Sequence, residues 1–298
     1  MTRGQILRIR ALSSPLEPRP TGLQSRLPAL PGLRAVLFDV YGTLFISASG
    51  DIGSAPQAAG RGAAFQAALE ACGLRPASPR SAEKGAVLLE QLIRGAHSRA
   101  RSTGTVYPEV EIRSLLRAAL CSLWREGEIP IRPGRRRATR FAVELEARQN
   151  PCWPMPDAAK ILAALKTRGL TLGIISNAQF YTPLLFPALL GASHTRLGFL
   201  SSACIWSYRL LEAKPSEQLF QLAASALARS RGITPAQILY VGNDMRNDIL
   251  PARSCGFRTA LFAGDTRSLR LRREDPGCRG LTSDAVLTEL SQLLRLIP

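Results

Sequence analysis

One carboxylate near the start of the chain stands where a catalytic nucleophile could be placed. Asp39 follows the apolar run Ala35–Phe38, which can be buried on both faces as a central strand of a parallel sheet. Gly42 and Thr43 then supply a turn signal. An acid at the carboxyl end of such a strand lies where open α/β sheets bind their ligands. A turn-forming Asp after a core strand explains this segment equally well, so the segment alone leaves both interpretations open.

Two further polar positions follow the same pattern. Ser176 and Asn177 come directly after the apolar run LGII, and a hydroxyl there can donate to an anionic oxygen near Asp39 if the two strands are neighbours. Lys214 precedes a helix whose start is marked by Pro215 and Ser216, and it is one of only four lysines in a chain rich in arginine. Taken singly, a turn residue and a solvated lysine explain these positions as well.

A third polar cluster follows the predicted strand at 238–241. It consists of Asn243, Asp244 and Asp248. Acids at a helix start are stabilised by the helix dipole, so a capping role accounts for them. Two acids and an Asn within six residues also form an oxygen-rich site, and Mg²⁺ is usually held by one or two carboxylates together with water and substrate oxygens. The cluster therefore indicates either a helix cap or a magnesium site.

The charge balance of the 298-residue chain is strongly basic, with 39 Lys and Arg against 22 Asp and Glu and a formal net charge of +17. Most of the arginines are scattered, and the one cluster is 135–137 with Arg132 and Arg140 nearby. A nucleic-acid groove would interleave such arginines with exposed aromatics, yet Phe141 is the only aromatic close by. We therefore expect a solvated basic face and no dedicated nucleic-acid binding, with the net charge favouring a small anionic substrate.

Other residue types limit the function classes further. The six cysteines are widely spaced and form no CxxC pair, which favours reduced thiols in a cytoplasmic protein. Because the chain has only two histidines, a histidine metal centre or a Ser-His-Asp triad is not expected. No apolar run is long enough to span a membrane, so no membrane association is expected. Residues 1–32, with several prolines and arginines, are predicted to be a disordered basic extension.

The remaining pattern predicts an α/β protein with an insertion. Four stretches with helical spacing of apolar residues, and no convincing strand, lie at 64–72, 82–100, 109–124 and 138–147. Beyond residue 150, helices alternate with strands, which argues for a parallel sheet covered on both faces. The predicted helices are 157–167, 183–190, 216–229, 248–255 and 283–294, and the predicted strands are 170–175, 203–206, 238–241 and 258–262. We thus divide the chain into a core domain of 33–46 plus 151–298 and a helical domain of 47–150.

The order of these motifs resembles that of the haloacid dehalogenase-like (HAD) hydrolases. Asp39, Gly42, Thr43 and Leu44 match the first motif of that family, and three later motifs match the Ser176–Asn177 pair, Lys214 and the 243–248 turn. The resemblance implies a Rossmann-like core with helices on both faces and an inserted helical C1-type cap. It also implies a nucleophilic Asp39, a fixed loop at Thr43, a hydroxyl of Ser176 that holds the transferred group, and a Lys214 that neutralises charge around them.

The same resemblance implies a set of Mg²⁺ ligands. They would be Asp39, the backbone carbonyl of Tyr41, Asp248, and either Asn243 or Asp244, depending on how the fourth motif is aligned. Tyr41 departs from the family, since the phosphatase branch usually has a second Asp here as general acid and base, whereas a Tyr is typical of the 2-haloacid dehalogenase branch. That branch works without metal and has only one final Asp in the fourth motif.

Because this chain keeps two acids there, we predict a Mg²⁺-dependent phosphatase that acts on a small phosphate monoester through an aspartyl-phosphate on Asp39. The first alternative is a 2-haloacid dehalogenase-type hydrolase, which Tyr41 favours. The second is a catalytically impaired HAD scaffold with a binding role. A phenol is a poor base near neutral pH, so the phosphatase prediction favours substrates with good leaving groups.

Overall fold

A six-stranded, fully parallel sheet forms the centre of the molecule, in the strand order β5-β4-β1-β6-β7-β8. The computed structural model describes residues 3–50 and 58–297. A short antiparallel pair, β2 with β3, lies apart from this sheet. The strands are β1 (Ala35–Phe38), β2 (Phe45–Ser47), β3 (Cys152–Pro154), β4 (Thr171–Ser176), β5 (Phe199–Trp206), β6 (Ile238–Gly242), β7 (Arg258–Phe262) and β8 (Ala285–Leu287).

Helices cover both faces of this sheet. They are α1 (Arg3–Leu12), α2 (Ala58–Ala71), α3 (Pro79–Ser102), α4 (Ile112–Arg125), α5 (Arg135–Gln149), α6 (Ala158–Thr167), α7 (Thr182–Leu189), α8 (Ser207–Leu210), α9 (Glu217–Arg231), α10 (Leu250–Ser254) and α11 (Leu293–Leu296). Every residue of β1 and β6 is buried, as expected for central strands whose two faces are both covered. The predicted α/β architecture with a parallel sheet is confirmed.

The four helices α2 to α5 lie in the chain between β2 and β3. Helix α2 packs against α3 and α5, and α4 packs against the same two helices. Phe65 of α2 and Phe141 of α5 meet edge to face with ring centroids 4.8 Å apart, and both rings are fully buried. Four helices that pack against one another in sequence neighbourhood and across α2 and α5 thus lie between these two strands in the chain. In the described ranges, each helix is too short or too polar to cross a bilayer.

The prediction of a disordered N-terminal extension is wrong. Residues Arg3–Leu12 form α1, which packs against both α5 and α7, with Ile9 buried and the Nε atom of Arg8 2.6 Å from Glu144 Oε1. Further on, the N–H of Arg26 donates to the carbonyl of Val286, at 2.9 Å. The prolines and charges of this segment conceal the i, i+3 spacing of Ile6 and Ile9, and tertiary contacts supply the stability that composition does not.

The prediction of a closing helix over 283–294 is also wrong. Its first half forms the edge strand β8, where Ala285 and Leu287 are buried and Val286 is half-buried and pairs with Arg26. A short 3₁₀ turn then leads into α11. Apolar residues at 285 and 287 fit a strand of period two, and a window this short does not separate that pattern from a helical one.

Candidate active site

The sheet order brings three of the predicted motifs to one edge. Strand β1 lies between β4 and β6, so the residues that follow these three strands converge at their carboxyl ends. Asp39 follows β1, Ser176 ends β4 with Asn177 next to it, and Asn243 follows β6. This is the edge at which open parallel α/β sheets bind ligands.

Lys214 joins two carboxylates at the centre of this edge. Its Nζ atom lies 2.8 Å from Asp39 Oδ1 and 2.5 Å from Asp248 Oδ1, and only 3% of its side chain is exposed. The loop before α9 carries this lysine, and Asn177 fixes the loop because its Oδ1 atom accepts the backbone N–H of Lys214 at 2.7 Å. Residues separated by more than 170 positions in sequence are thereby held in one charged cluster.

Electrostatics keep this lysine protonated. Burial alone would lower the pKa of Lys214, but the adjacent carboxylates of Asp248 and Asp39 outweigh it and raise that pKa above its usual value. Burial raises the pKa of Asp248 to about 7, although Lys214 opposes the rise, because Asp39 and Asp244 add negative charge nearby. The cluster thus holds a permanent cation beside the predicted nucleophile.

Tyr240, which sequence reasoning missed, supports this cluster from the sheet. Its hydroxyl donates to the carbonyl of Ile175 at 2.8 Å and lies 3.0 Å from Asp248 Oδ1 and 3.3 Å from Lys214 Nζ. The side chain comes from the middle of β6, where the apolar pattern of the strand gave no sign of a polar role.

Asn243 and Asp244 have different surroundings. The Nδ2 atom of Asn243 donates to the carbonyl of Ser268, and its Oδ1 atom accepts the hydroxyl of Thr43 at 3.1 Å. Thr43 thus joins the loop after β1 to the loop after β6 through Asn243. Asp244 instead caps the wide π-type turn Met245–Ile249, because its Oδ1 atom accepts the N–H of Arg246 at 2.9 Å.

The Asp244 carboxylate also forms a two-point ion pair with Arg272. The Nη2 atom of Arg272 lies 2.7 Å from Oδ2 of Asp244, and Nε lies 3.1 Å from Oδ1. Asn247 donates a further hydrogen bond to Oδ2 at 3.0 Å. Asp244, one of the two acids of the predicted metal cluster, is thus occupied by an arginine and by the N-terminus of the π-type turn.

The donor set of this site can be compared with what Mg²⁺ requires. No group of three or more His, Cys, Asp or Glu side chains within the described ranges is arranged to hold a metal ion. Asp39, Asp248 and Asn243 still line one cavity, and Mg²⁺ accepts two carboxylates and an amide oxygen when water or substrate completes the set. These residues therefore fit Mg²⁺ without Asp244.

That cavity is small, at about 40 Å³, with room for only a few water molecules. Its lining includes residues from all four predicted motifs and from two loops that the motifs did not identify. They are Asp39, Tyr41, Gly50, Asn177, Lys214, Asn243, Asp244, Asn247, Asp248, Ser268 and Arg270. Ser176 is not among them, since its hydroxyl donates to the carbonyl of Asn177 at 3.1 Å.

The loop that contributes Ser268 and Arg270 follows β7 and carries no motif. It reaches the site because the N–H of Arg270 donates to the carbonyl of Asn243 and the N–H of Met245 donates to the carbonyl of Arg270, each at 2.9 Å. Gly42, with φ of 77°, permits the close approach: a Cβ atom there would lie 2.4 Å from Cβ of Ser268. Backbone pairing of this kind does not depend on residue types, so the sequence did not predict that this loop reaches the site.

Tyr41 lines the cavity, but its hydroxyl does not hydrogen-bond to the carboxylates. Its hydroxyl lies 2.9 Å from Oγ1 of Thr182, at the start of α7. Burial first, and the charge of Glu146 second, raise the pKa of Tyr41 well above its usual value. The phenol is therefore even less able to act as a base near neutral pH than its residue type alone suggests.

Curated relatives with known names match only part of this chain. A phosphoglycolate phosphatase from Salmonella paratyphi A is 36% identical over 101 residues, which are 34% of this chain and 36% of that protein. An N-acetylmuramic acid 6-phosphate phosphatase from Pseudomonas aeruginosa is 30% identical over 111 residues, which are 36% of this chain and 43% of that protein. The chain therefore matches well under half the length of these two phosphatases.

Comparison with solved structures covers most of the chain. The structure of a 2-haloacid dehalogenase from Pseudomonas syringae pv. Tomato superposes over 89% of this chain and 97% of that one, with a TM-score of 0.55 at 20% identity, which shows a shared fold. A family model described as haloacid dehalogenase-like hydrolase matches residues 33–256, most of the chain. The chain thus belongs to the haloacid dehalogenase-like hydrolases, as the order of its motifs predicted.

Proposed function

We propose that this hydrolase cleaves a small phosphate monoester, with Asp39 as the nucleophile. The observation that carries the proposal is the position of Lys214 Nζ, 2.8 Å from Asp39 Oδ1, at a cavity that Arg270 also lines. A lysine next to Asp39, with Arg270 on the same cavity, suits a substrate whose reacting group is itself anionic. The phosphatase names of the matched relatives support the same reaction class.

In this mechanism a carboxylate oxygen of Asp39 attacks phosphorus and the alcohol or phenol leaves with the bonding electrons. Water then attacks phosphorus in the aspartyl-phosphate, which returns free phosphate and the Asp39 carboxylate. Lys214 and Arg270 orient and neutralise the phosphate oxygens, and Asn177 holds the Lys214 loop in place. Mg²⁺, held by Asp39, Asp248, Asn243 and the carbonyl of Tyr41, would neutralise further charge on the phosphoryl oxygens.

Tyr41, at the position where the phosphatase branch usually has its second Asp, is poorly suited to protonate the leaving group. The hydroxyl of Tyr41 is bonded to Thr182, and its raised pKa does not suit rapid proton exchange. We therefore expect phenolate leaving groups, which need little protonation, to leave roughly tenfold faster or more than alkoxides. Equal turnover of aryl and alkyl phosphates would contradict this part of the proposal.

Carbon-halogen hydrolysis is the second candidate, and one observation favours it. Arg272 neutralises Asp244, so Asp248, which pairs with Lys214, is the one acid of the fourth motif without an arginine partner, beside the amides of Asn243 and Asn247. The fourth motif of the dehalogenase branch likewise has one final Asp, and a Tyr at position 41 is typical of that branch. Here Asp39 would displace halide from a 2-haloacid, and water would then cleave the resulting ester.

One set of assays separates these functions. The purified protein is assayed on p-nitrophenyl phosphate with and without Mg²⁺, and on 2-chloropropionate, beside Asp39→Asn and the matched surface variant Asp157→Asn. We expect Mg²⁺-dependent phosphate release that Asp39→Asn abolishes and Asp157→Asn leaves intact. Chloride release without metal would select the dehalogenase instead, and inactivity on both substrates would favour the binding scaffold. 2-Phosphoglycolate and N-acetylmuramic acid 6-phosphate, named by the relatives, are the first natural substrates to test.

A further inference from the structure

A second and much larger cavity, of about 610 Å³, lies between α1 and α5, apart from the Asp39 site. Four arginines line it together with small and polar residues, and we call it the arginine groove. Its lining residues are Gly4, Gln5, Arg8, Arg135, Arg136, Thr139, Arg140 and Val143. The volume is within the range of sites that bind small molecules. Helix α1 lies outside the residues that the family model matches, so the groove is an addition to the shared fold.

The charges of the arginine groove are not balanced. Glu144, whose side chain is fully buried at its base, bonds to Arg8 at 2.6 Å and to Arg148. Arg140 lies 4.0 Å from the same carboxylate and is 61% exposed. No described carboxylate forms an ion pair with Arg135 or Arg136. Since Glu144 is already paired with two guanidiniums, the groove retains an excess of positive charge at 135, 136 and 140.

The local backbone adds to this excess. Arg135 and Arg136 occupy the first turn of α5, which contains no acid and whose cap residue, Gly134, makes no side-chain bond. The dipole of a helix makes its N-terminus favourable for anions and unfavourable for cations. Placing two arginines there costs stability, and an anion bound between them would offset that cost.

The shape and composition of the groove distinguish among anionic ligands. Phe141, the aromatic nearest to these arginines in sequence, is fully buried, and no aromatic residue lines the groove. The groove therefore offers no aromatic ring on which the bases of a single-stranded nucleic acid could stack. Three guanidiniums in one concave site instead match a compact ligand with several phosphate oxygens, which arginine binds through paired hydrogen bonds.

We propose that the arginine groove binds a small molecule that carries a diphosphate group. Arg135, Arg136 and Arg140 contact the phosphate oxygens, and Glu144 holds Arg8 at the wall of the site. The site goes beyond the proposed hydrolysis at Asp39, and neither depends on the other.

Isothermal titration with inorganic pyrophosphate tests this proposal. The full chain is used with Asp39→Asn, so that the probe is not consumed, in Mg²⁺-free buffer of physiological ionic strength. We expect one saturable site that binds pyrophosphate at least tenfold more tightly than orthophosphate, and a loss of at least tenfold in affinity when Arg135→Ala and Arg136→Ala are added. The paired control Arg75→Ala with Arg279→Ala, which removes the same charge elsewhere on the surface, is expected to leave the affinity unchanged.

Several results would overturn the arginine groove as a ligand site. These are no saturable binding, equal loss in the control pair, equal affinity for orthophosphate, or tighter binding of single-stranded DNA that strengthens with its length. Titration with ADP distinguishes two kinds of diphosphate ligand, and either result supports the proposal. If ADP binds at least as tightly as pyrophosphate, the ligand is a nucleotide. If ADP binds more weakly than pyrophosphate, the ligand is a diphosphate without a nucleoside. In otherwise unaltered protein, Arg135→Ala with Arg136→Ala is expected to retain aryl phosphate hydrolysis, which separates this site from Asp39.

Discussion

Arg272 holds the carboxylate of Asp244 through two contacts, Nη2 to Oδ2 at 2.7 Å and Nε to Oδ1 at 3.1 Å, at the rim of the Asp39 cavity. An arginine from an unmatched loop thereby cancels the charge of an acid that the sequence placed in the metal site. Asp244 lies at the cavity, but its carboxylate is already bound by Arg272. The ion pair therefore limits which acids of the fourth motif a metal ion could use.

Releasing Asp244 should strengthen Mg²⁺ binding. Because Arg272→Ala frees a carboxylate beside Asp248 and leaves more negative charge around the cavity, we expect the apparent affinity for Mg²⁺ to rise about tenfold, or about 1.4 kcal/mol. The increase in melting temperature during a Mg²⁺ titration measures this without relying on activity. Arg273→Ala, at the exposed neighbouring position, serves as the control. An unchanged Mg²⁺ midpoint in Arg272→Ala would show that Asp244 stays unavailable for another reason.

Removing the central cation should affect both stability and catalysis. Lys214→Met leaves Asp39 and Asp248 buried without a counter-ion, and removing one partner of a buried pair costs about 3 kcal/mol. We therefore expect a clear drop in the urea midpoint and at least a hundredfold loss of aryl phosphate hydrolysis. Lys160→Met, which removes an exposed lysine, should change neither quantity. Retention of activity in a folded Lys214→Met protein would exclude Lys214 from phosphate binding.

Tyr41 should prove structural rather than catalytic. Tyr41→Phe removes the hydroxyl that bonds to Thr182, and we expect it to lower the free energy of unfolding by about 1 kcal/mol while aryl phosphate turnover stays within about twofold. A double-mutant cycle with Thr182→Val measures the coupling between the two hydroxyls. A large fall in turnover with unchanged stability would instead place the phenol in the reaction.

Glu144 should give the fold a dependence on acid pH. Burial raises the pKa of Glu144, but the ion pairs with Arg8 and Arg148 outweigh burial and leave that pKa below its usual value. A carboxyl group whose pKa is lowered by folding stabilises the protein above its unfolded pKa of about 4.3, and this stability is lost as pH falls through the folded pKa.

Glu144→Gln is therefore expected to lose about 2 kcal/mol of unfolding free energy at pH 7. The difference from the unmodified protein should shrink as the pH falls below about 4. Urea denaturation at several pH values measures both effects, with Glu274→Gln, at an exposed position, as the control. A difference that is the same at every pH would assign the effect of Glu144 to packing.

The parts of this site that the sequence predicted share one property: each follows a short apolar strand or begins a helix. Asp39, Lys214 and Asp248 were identified in this way, and the parallel order of β4, β1 and β6 brings them together. Arg270 and Arg272 were missed because backbone pairing with 243–245 positions their loop, and such pairing is independent of side-chain type. Asp244 was assigned to a metal because its partner, 28 residues away, had no motif.

The errors in the fold arose where local pattern and tertiary packing disagree. Helix α1 is polar enough to suggest disorder, and it is held by the burial of Ile9 and by the pairing of Arg8 with Glu144. Strand β8 has only three residues, and its identity depends on pairing with β7 on one side and with Arg26 on the other. In both places the deciding contacts come from segments distant in sequence.

The position of α1 also has a mechanical consequence. The chain enters the four inserted helices through β2 and leaves them through β3, and these two strands pair with each other. Helix α1 contacts both α5, which lies within the insertion, and α7, which lies outside it. Helix α1 therefore joins the inserted helices to α7 by a connection that does not pass through β2 or β3.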